Sequence, residues 1–313
     1  MELIESIFKL KDHKTSFKKE VLAGLATFLT MAYIMVVNPA ILSETGMDFD
    51  SVFVATILAS FVACILMGIL ANWPVALAPG MGLNAFFTYA VVFGMGFTWQ
   101  QALAAVLCSG ILFLLISISP LRAYLINAIP RSLKFGIGAG IGLFLAIIGL
   151  KNAGIVVDNP ATLVGLGDLK SAPVLLALLT FTLMIALDKL KIPGAIVISI
   201  LATTIVGFIF GVAQFQGVAS SIPSMSPTFM QLDFSSLGSS LFLIVIFTIL
   251  FVDFFDTAGT LTSVANVAGK VDKQGKVEDI NKAMLSDSVG TVAGAMMGTT
   301  TVTSYVESGA GVK

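Results

Sequence analysis

Two aspartates, Asp253 and Asp256, stand in LFVDFFDTAGT (250–260), directly behind twelve almost wholly apolar residues, LFLIVIFTILFV. Between Lys191 and Lys270 the only other ionisable residue is Asp233. Three positions apart, the two carboxylates share one face of any helix that carries them. If a membrane-crossing helix begins near Leu241, Asp253 lies about 18 Å along it, close to the bilayer midplane. An ionised carboxylate there costs about 2.5–3.5 kcal/mol on insertion scales, and such residues usually mark an ion or substrate path. The structural alternative is a pair that caps a broken backbone or binds a neighbouring Ser or Thr. A third embedded acid, Glu307, lies in TSYVES (303–308), and an amide, Asn84, lies in ALAPGMGLNAFF (76–87).

Other chemistries fit less well. His13, the only histidine, sits in the polar N-terminal stretch, which excludes a histidine-based catalytic centre or a zinc site among the spans. Cys64 and Cys108 each lie in an apolar run and read as small buried residues, not as a disulfide or metal ligands. An intramembrane aspartyl protease needs two aspartates from different helices. Asp253 and Asp256 share one, and only Asp287 stands as a second-helix candidate. GIGAGIGLF (136–144) follows a basic loop, not a strand, so it reads as small-residue helix packing and not as a nucleotide loop. No catalytic residue, metal or cofactor is expected. A net charge of −1 gives no reason to expect a nucleic acid partner.

The elements that must hold these acids follow from composition. Of 313 residues, 57% are hydrophobic and 11% charged, against about 25% charged in a typical soluble domain. With a mean hydropathy of +1.00, the chain is an all-α polytopic membrane protein. Its first twenty residues are polar and basic, which argues against a cleavable signal peptide and suits a short surface helix. A bilayer core of about 30 Å needs about 20 apolar residues per helix. On that measure the spans are 20–42, 51–72, 98–119, 133–150, 172–187, 193–212, 239–264 and 282–298. Two further segments, 74–96 and 299–311, begin with residues that cannot be regular helix, PVALAPGMG and TTTVTS. Each reads as a short strand running into a half-helix.

The basic residues test this map. They fall before the first span (Lys9, Lys11, Lys14, Lys18, Lys19) and, counting the broken segments as crossings, after the fourth (Arg122, Arg131, Lys134), sixth (Lys189, Lys191) and eighth (Lys270, Lys273, Lys276, Lys282). All these loops lie on one side, and only Lys151 and Lys170 fall on the other, so the positive-inside rule places the N-terminus in the cytoplasm. Tyr33 to Asn84 and Asp256 to Glu307 are both 51 residues. That interval suits an inverted repeat restarting at the eighth span, with both broken helices meeting at a central site.

FLTMAYIMVVNP (28–39), ALAPGMGLNAFFTYAVV (76–92), GLKNAGIVV (149–157), DFFDTAGTL (253–261) and TSYVES (303–308) resemble the AzgA-like adenine/guanine/hypoxanthine permeases of the nucleobase-cation symporter (nucleobase-ascorbate transporter) superfamily. The resemblance implies proton-coupled uptake of a purine nucleobase across the inner, cytoplasmic membrane of a cell. A core domain would carry the site and move against a gate domain in the lipid bilayer. It implies a cytoplasmic segment 1–19, core helices one to four over 20–119, gate helices five to seven over 133–212, and second-repeat core helices eight to ten over 239–313. In that inverted-repeat core/gate fold the second repeat is incomplete, so the chain reads as C-terminally truncated, with transport by it alone in question. By position, the resemblance assigns purine binding to Asn84, Asp253, Glu307, Phe86 and Ser304, and proton coupling or support to Asp256 and Glu307. Carboxylates accept the ring N–H and amino donors of a purine, and an amide matches its acceptors. Phe86, Phe87, Phe254 and Phe255 are candidates for stacking on the base, or for lipid and packing contacts. Which purine is preferred, and whether the ion is a proton or sodium, stay open, and a homodimer is among the states allowed.

Overall fold

The computed structural model describes residues 2–13, 15–119, 131–192, 194–214, 217, 221–271, 277 and 279–312. Lys14, Arg122, Lys273 and Lys276 lie outside them. By contacts the chain divides into two compact units, Met1–Gly138 with Ile222–Lys313, and Ala139–Ser221.

The larger unit opens with a short helix, α1 (Glu2–Phe8), followed by α2 (Phe17–Met31) and α3 (Ile34–Ser43). Sequence length predicts one span here, but the helix breaks at Ala32–Tyr33. Both residues keep right-handed helical backbone, with the N–H groups of Met35 and Val36 bonded to their carbonyls in a tightened turn, so Phe17–Ser43 remains one span-length stretch. Next comes α4 (Phe49–Leu66), ending in a π-helical turn, Met67–Ala71. Asp48 caps α4 by accepting from the backbone N–H (2.8 Å) and hydroxyl (2.5 Å) of Ser51, and these bonds hold its carboxyl below the usual range.

The first broken segment is strand β1 (Leu77–Pro79), helix α5 (Met81–Ala85) and a π-helical stretch Phe86–Gly94. Then come α6 (Trp99–Ile118) and, after the second unit, α10 (Ser240–Val267) and α11 (Ile280–Met297). The second broken segment is strand β4 (Val302–Ser304), a 3₁₀ turn Val306–Ser308 and α12 (Gly309–Val312). In the smaller unit, α7 (Arg131–Asn152), which begins in the larger one, leads to a hairpin of β2 (Val156–Asn159) and β3 (Leu163–Leu166). It ends with α8 (Ala172–Lys189) and α9 (Ala195–Ile209), which run antiparallel with the hydroxyls of Thr180 and Thr203 2.9 Å apart. The expected close packing at Gly136, Gly140 and Gly142 is not formed among the described residues, since a methyl group added at any of them would meet nothing.

Among the described residues, five helical stretches are long and apolar enough to cross a membrane: Phe17–Ser43, Phe49–Ala71, Trp99–Ile118, Ala172–Lys189 and Ser240–Val267. This is a multi-pass membrane protein. On α10 the outward residues Ile244, Phe247 and Phe251 stay exposed, as a lipid-facing surface requires, while Val245, Ile249 and Asp253 turn inward.

α11 is different. Its residues SDSVGTVAGA are too polar and too small to face lipid, and Ser286, Asp287, Ser288, Gly290 and Thr291 are all buried. Lipid tails are as apolar as leucine, so helices in a membrane associate through close packing of small residues. An added Cβ on Gly290 would lie 2.7 Å from that of Ala63 on α4, and one on Gly110 of α6 would lie 2.9 Å from Thr291 Cγ2. α11 is therefore locked between α4 and α6, with its polar face turned to the broken segments.

Candidate functional site

Proline and glycine keep 74–80 from becoming helix, and β-branched residues disfavour helix at 299–303. In a membrane such irregular backbone must find its hydrogen bonds within the protein. Here the two segments satisfy each other. β1 pairs antiparallel with β4, Leu77 opposite Ser304, Ala78 opposite Thr303 and Pro79 opposite Val302. The N–H of Gly80 donates to Thr301 O (3.0 Å), that of Tyr305 to Ala76 O (3.0 Å), and the Tyr305 hydroxyl to Pro79 O (2.6 Å). A side chain on Gly80 would come within 2.9 Å of Thr303, so the crossing needs glycine at this point. Cys64 of α4, read from sequence as a small apolar residue, closes the edge: its Sγ accepts from the Leu77 N–H (3.1 Å) and donates to the Leu77 carbonyl (3.3 Å).

The predicted residues collect around this crossing, at two depths. Asp253 has no exposed surface. Its Oδ2 accepts from Thr291 (3.2 Å), and its Oδ1 has no hydrogen-bond partner among the described residues. Asn84 is equally buried, with Oδ1 accepting from the Thr300 hydroxyl and Nδ2 without a partner among the described residues. Ser304 is buried too, and its hydroxyl donates to Asp287 (2.9 Å).

Asp256 and Glu307, in contrast, keep part of their surface. The turn Val306–Ser308 packs on α10, the helix that carries Asp256. Glu307 Oε1 also accepts from the hydroxyl of Tyr33 (3.0 Å), which stands at the break between α2 and α3.

The phenylalanines divide likewise. Phe87 and Phe254 are core, with Phe254 edge-on to Phe113 at 5.6 Å. Phe86 and Phe255 remain partly exposed, and Phe255 stacks on Phe251. Two cavities, of about 470 and 620 Å³, lie on the side of the N-terminal segment; Trp73 and Pro74 line both, and none of these acids lines either.

Three participants escaped sequence reasoning. Tyr33 entered only as an interval, Thr291 carried no signal, and Asp287 was weighed solely as a second protease aspartate. The structure gives each Asp287 oxygen a hydroxyl, from Thr257 and Ser304. The signal was the run SDSVGT, whose aspartate repeats the feature that singled out Asp253, an acid in a span.

The sequence matches the profile of the Permease family (Xan_ur_permease) over residues 18–313. Among curated proteins it is similar to the adenine permease AdeP of Escherichia coli (strain K12), 44% identical over 310 residues, which cover 99% of this chain and 70% of that protein. It is also similar to the guanine/hypoxanthine permease PbuG of Bacillus subtilis (strain 168), 46% identical over 321 residues, covering 99% and 73%. Among solved structures, the transmembrane domain of the cyanobacterial bicarbonate transporter BicA superposes with a TM-score of 0.65 at 14% identity, covering 94% of this chain and 76% of that one. At that identity the likeness is one of fold.

Proposed function

The chain belongs to the Permease family, among its AzgA-like nucleobase permeases, and from that premise we propose that it imports purine nucleobases across a cytoplasmic membrane by proton symport. It is a permease and not an enzyme, so the protease alternative is dropped.

The observation that carries the site is the difference in depth between the acids. Asp256 and Glu307 are each partly exposed residues on two elements packed together, α10 and the turn after β4. A purine presents N–H donors along one edge, and two carboxylates converging on that edge accept them. Asp256 and Glu307 therefore face the base, with Phe86 beside it, and Tyr33 holds Glu307 in place. Asp253 and Asn84 form the buried floor. This exchanges the roles that position alone gives the two aspartates: Asp256 moves to the purine and Asp253 to support. Ser304 becomes support as well, because its hydroxyl is engaged with Asp287.

A carboxylate that meets the base from one side of the membrane and water from the other binds and releases its proton in step with the cargo. Segments 20–119 and 239–313 act as the core and 133–212 as gate, in an inverted-repeat arrangement that exposes the site alternately to each side, the N-terminus being cytoplasmic. Radiolabelled hypoxanthine, guanine and adenine offered to proteoliposomes containing the protein test this. Accumulation should follow an inward proton gradient and vanish with an uncoupler. A membrane-inserted protein that neither binds nor accumulates any of the three refutes the proposal, and uptake indifferent to the proton gradient refutes its symport step.

A further inference from the structure

Asp287 is bound on both oxygens, more firmly than either aspartate of α10. With no exposed surface, it accepts at Oδ2 from Thr257 of α10 (2.9 Å) and at Oδ1 from Ser304 of β4 (2.9 Å). One turn along, the pattern repeats with the helices exchanged: Thr291 of α11 donates to Asp253 of α10 (3.2 Å). The same Thr291 oxygen accepts the Val302 N–H of β4 (3.1 Å) and lies 3.0 Å from the Val302 carbonyl. Each helix thus offers one aspartate and one threonine, four residues apart, and each contributes an aspartate to the other's threonine. Both rungs of this clamp end on β4.

The clamp joins the two pieces of chain that carry the accessible acids. Thr257 follows Asp256 directly, and Ser304 precedes Glu307 by three residues. β4 has only three residues and a three-residue partner, so its ladder alone is a weak anchor. The closest approaches of α11 to α4 and α6 are at Gly290 and Gly110, not at Asp287. We propose that Asp287 is a positioning residue for the purine site: it holds β4 against α10 and so fixes the separation of Glu307 from Asp256, without touching the base. This rests on the purine reading above. An alanine at 287 leaves the hydroxyls of Thr257 and Ser304 without their shared acceptor and frees β4 to shift. An asparagine keeps an acceptor for Ser304 and offers an N–H to Thr257.

The test is calorimetric binding of hypoxanthine and of adenine to the purified 313-residue protein in nanodiscs. Asp287→Ala should weaken hypoxanthine binding by about tenfold or more, the scale of losing a hydrogen bond to a charged group, and change the hypoxanthine-to-adenine ratio. Asp287→Asn should restore both to within about threefold of wild type, a rescue that bulk removal of a buried group does not predict. If Asp287→Ala does not fold, Thr257→Val and Ser304→Ala, each cutting one bond, should each weaken binding by roughly threefold or more. A folded Asp287→Ala, or a folded pair of single-bond variants, that binds both purines as wild type does overturns this inference and leaves the purine reading standing. A wild-type protein that binds no purine removes the reading and the inference together.

Discussion

Replacing Asp253 and Asp256 one at a time by asparagine separates a floor residue from a ligand. Asparagine is nearly isosteric, so packing is conserved and only acceptor capacity changes. Asp253 spends its one bonded oxygen on Thr291 and has no exposed surface. Asp253→Asn can keep that bond through its carbonyl oxygen, and purine affinity should stay within about threefold of wild type. If Asp256 accepts from the base as proposed, the change there removes that acceptor and sets an N–H against an N–H. A hydrogen bond to a charged group is worth about 1.5–3 kcal/mol, or roughly a ten- to hundredfold loss of affinity.

A thermal-shift assay reads the difference directly. At a purine concentration of about 100 times the wild-type Kd, binding stabilises the folded protein by about 2.7 kcal/mol, and a hundredfold weaker variant retains only about 0.4 kcal/mol. Wild type and Asp253→Asn should therefore rise by several degrees with hypoxanthine and Asp256→Asn by about half of that or less. The reverse pattern, with Asp253→Asn blind to purine and Asp256→Asn responding normally, would refute the argument from burial and return the ligand role to Asp253.

Tyr33→Phe removes the hydroxyl donated to Glu307 (3.0 Å) and should weaken hypoxanthine binding by roughly three- to tenfold in the same assay, with little change in melting temperature. Gly290→Val places carbon atoms where Ala63 and Val302 already stand, at 2.7 and 3.1 Å from the first of them, and should destabilise by about 1–3 kcal/mol, read as a lower melting temperature. Asp48 contributes stability that is complete above its unfolded pKa, near the ordinary 3.8, and lost as pH falls through its depressed folded value. Between pH 5 and about 3 the melting temperature of wild type should therefore fall more than that of Asp48→Asn, by a small margin because the carboxyl is largely exposed.

Apolar length made the spans legible: the helices Phe49–Leu66, Trp99–Ile118 and Ser240–Val267 lie where runs of about twenty apolar residues put them. Proline, glycine and β-branched residues marked both broken segments. Three features were hidden, each for a physical reason. The interruption at Ala32–Tyr33 falls within one continuous apolar stretch, Phe17–Ser43, which length cannot register. The hairpin Val156–Leu166 is a pair of four-residue strands outside the spans, where hydropathy is silent, although Val156–Val157 and Leu163–Val164 on either side of Asn159–Pro160 were a usable sign. The depth of each acid depends on which neighbours cover it. Asp253 and Asp256 look alike in sequence because burial is set by α11, whose own polar face defeats a search for apolar runs.

The strand crossing also governs when this protein can become a finished object. The Tyr305 hydroxyl and the Pro79 carbonyl it meets are 226 residues apart, and Thr300 and Asn84 are 216 apart. At about 5–20 residues per second of synthesis, roughly 11–45 s separate the emergence of one half of the crossing from the other. Throughout that interval Leu77–Pro79 has only local help, the sulfur of Cys64, for backbone groups that lipid cannot serve. The crossing thus cannot close before Ser304 has been made, and a nascent chain that has not yet produced Ser304 exposes an open strand edge to whatever insertion machinery or chaperone attends it.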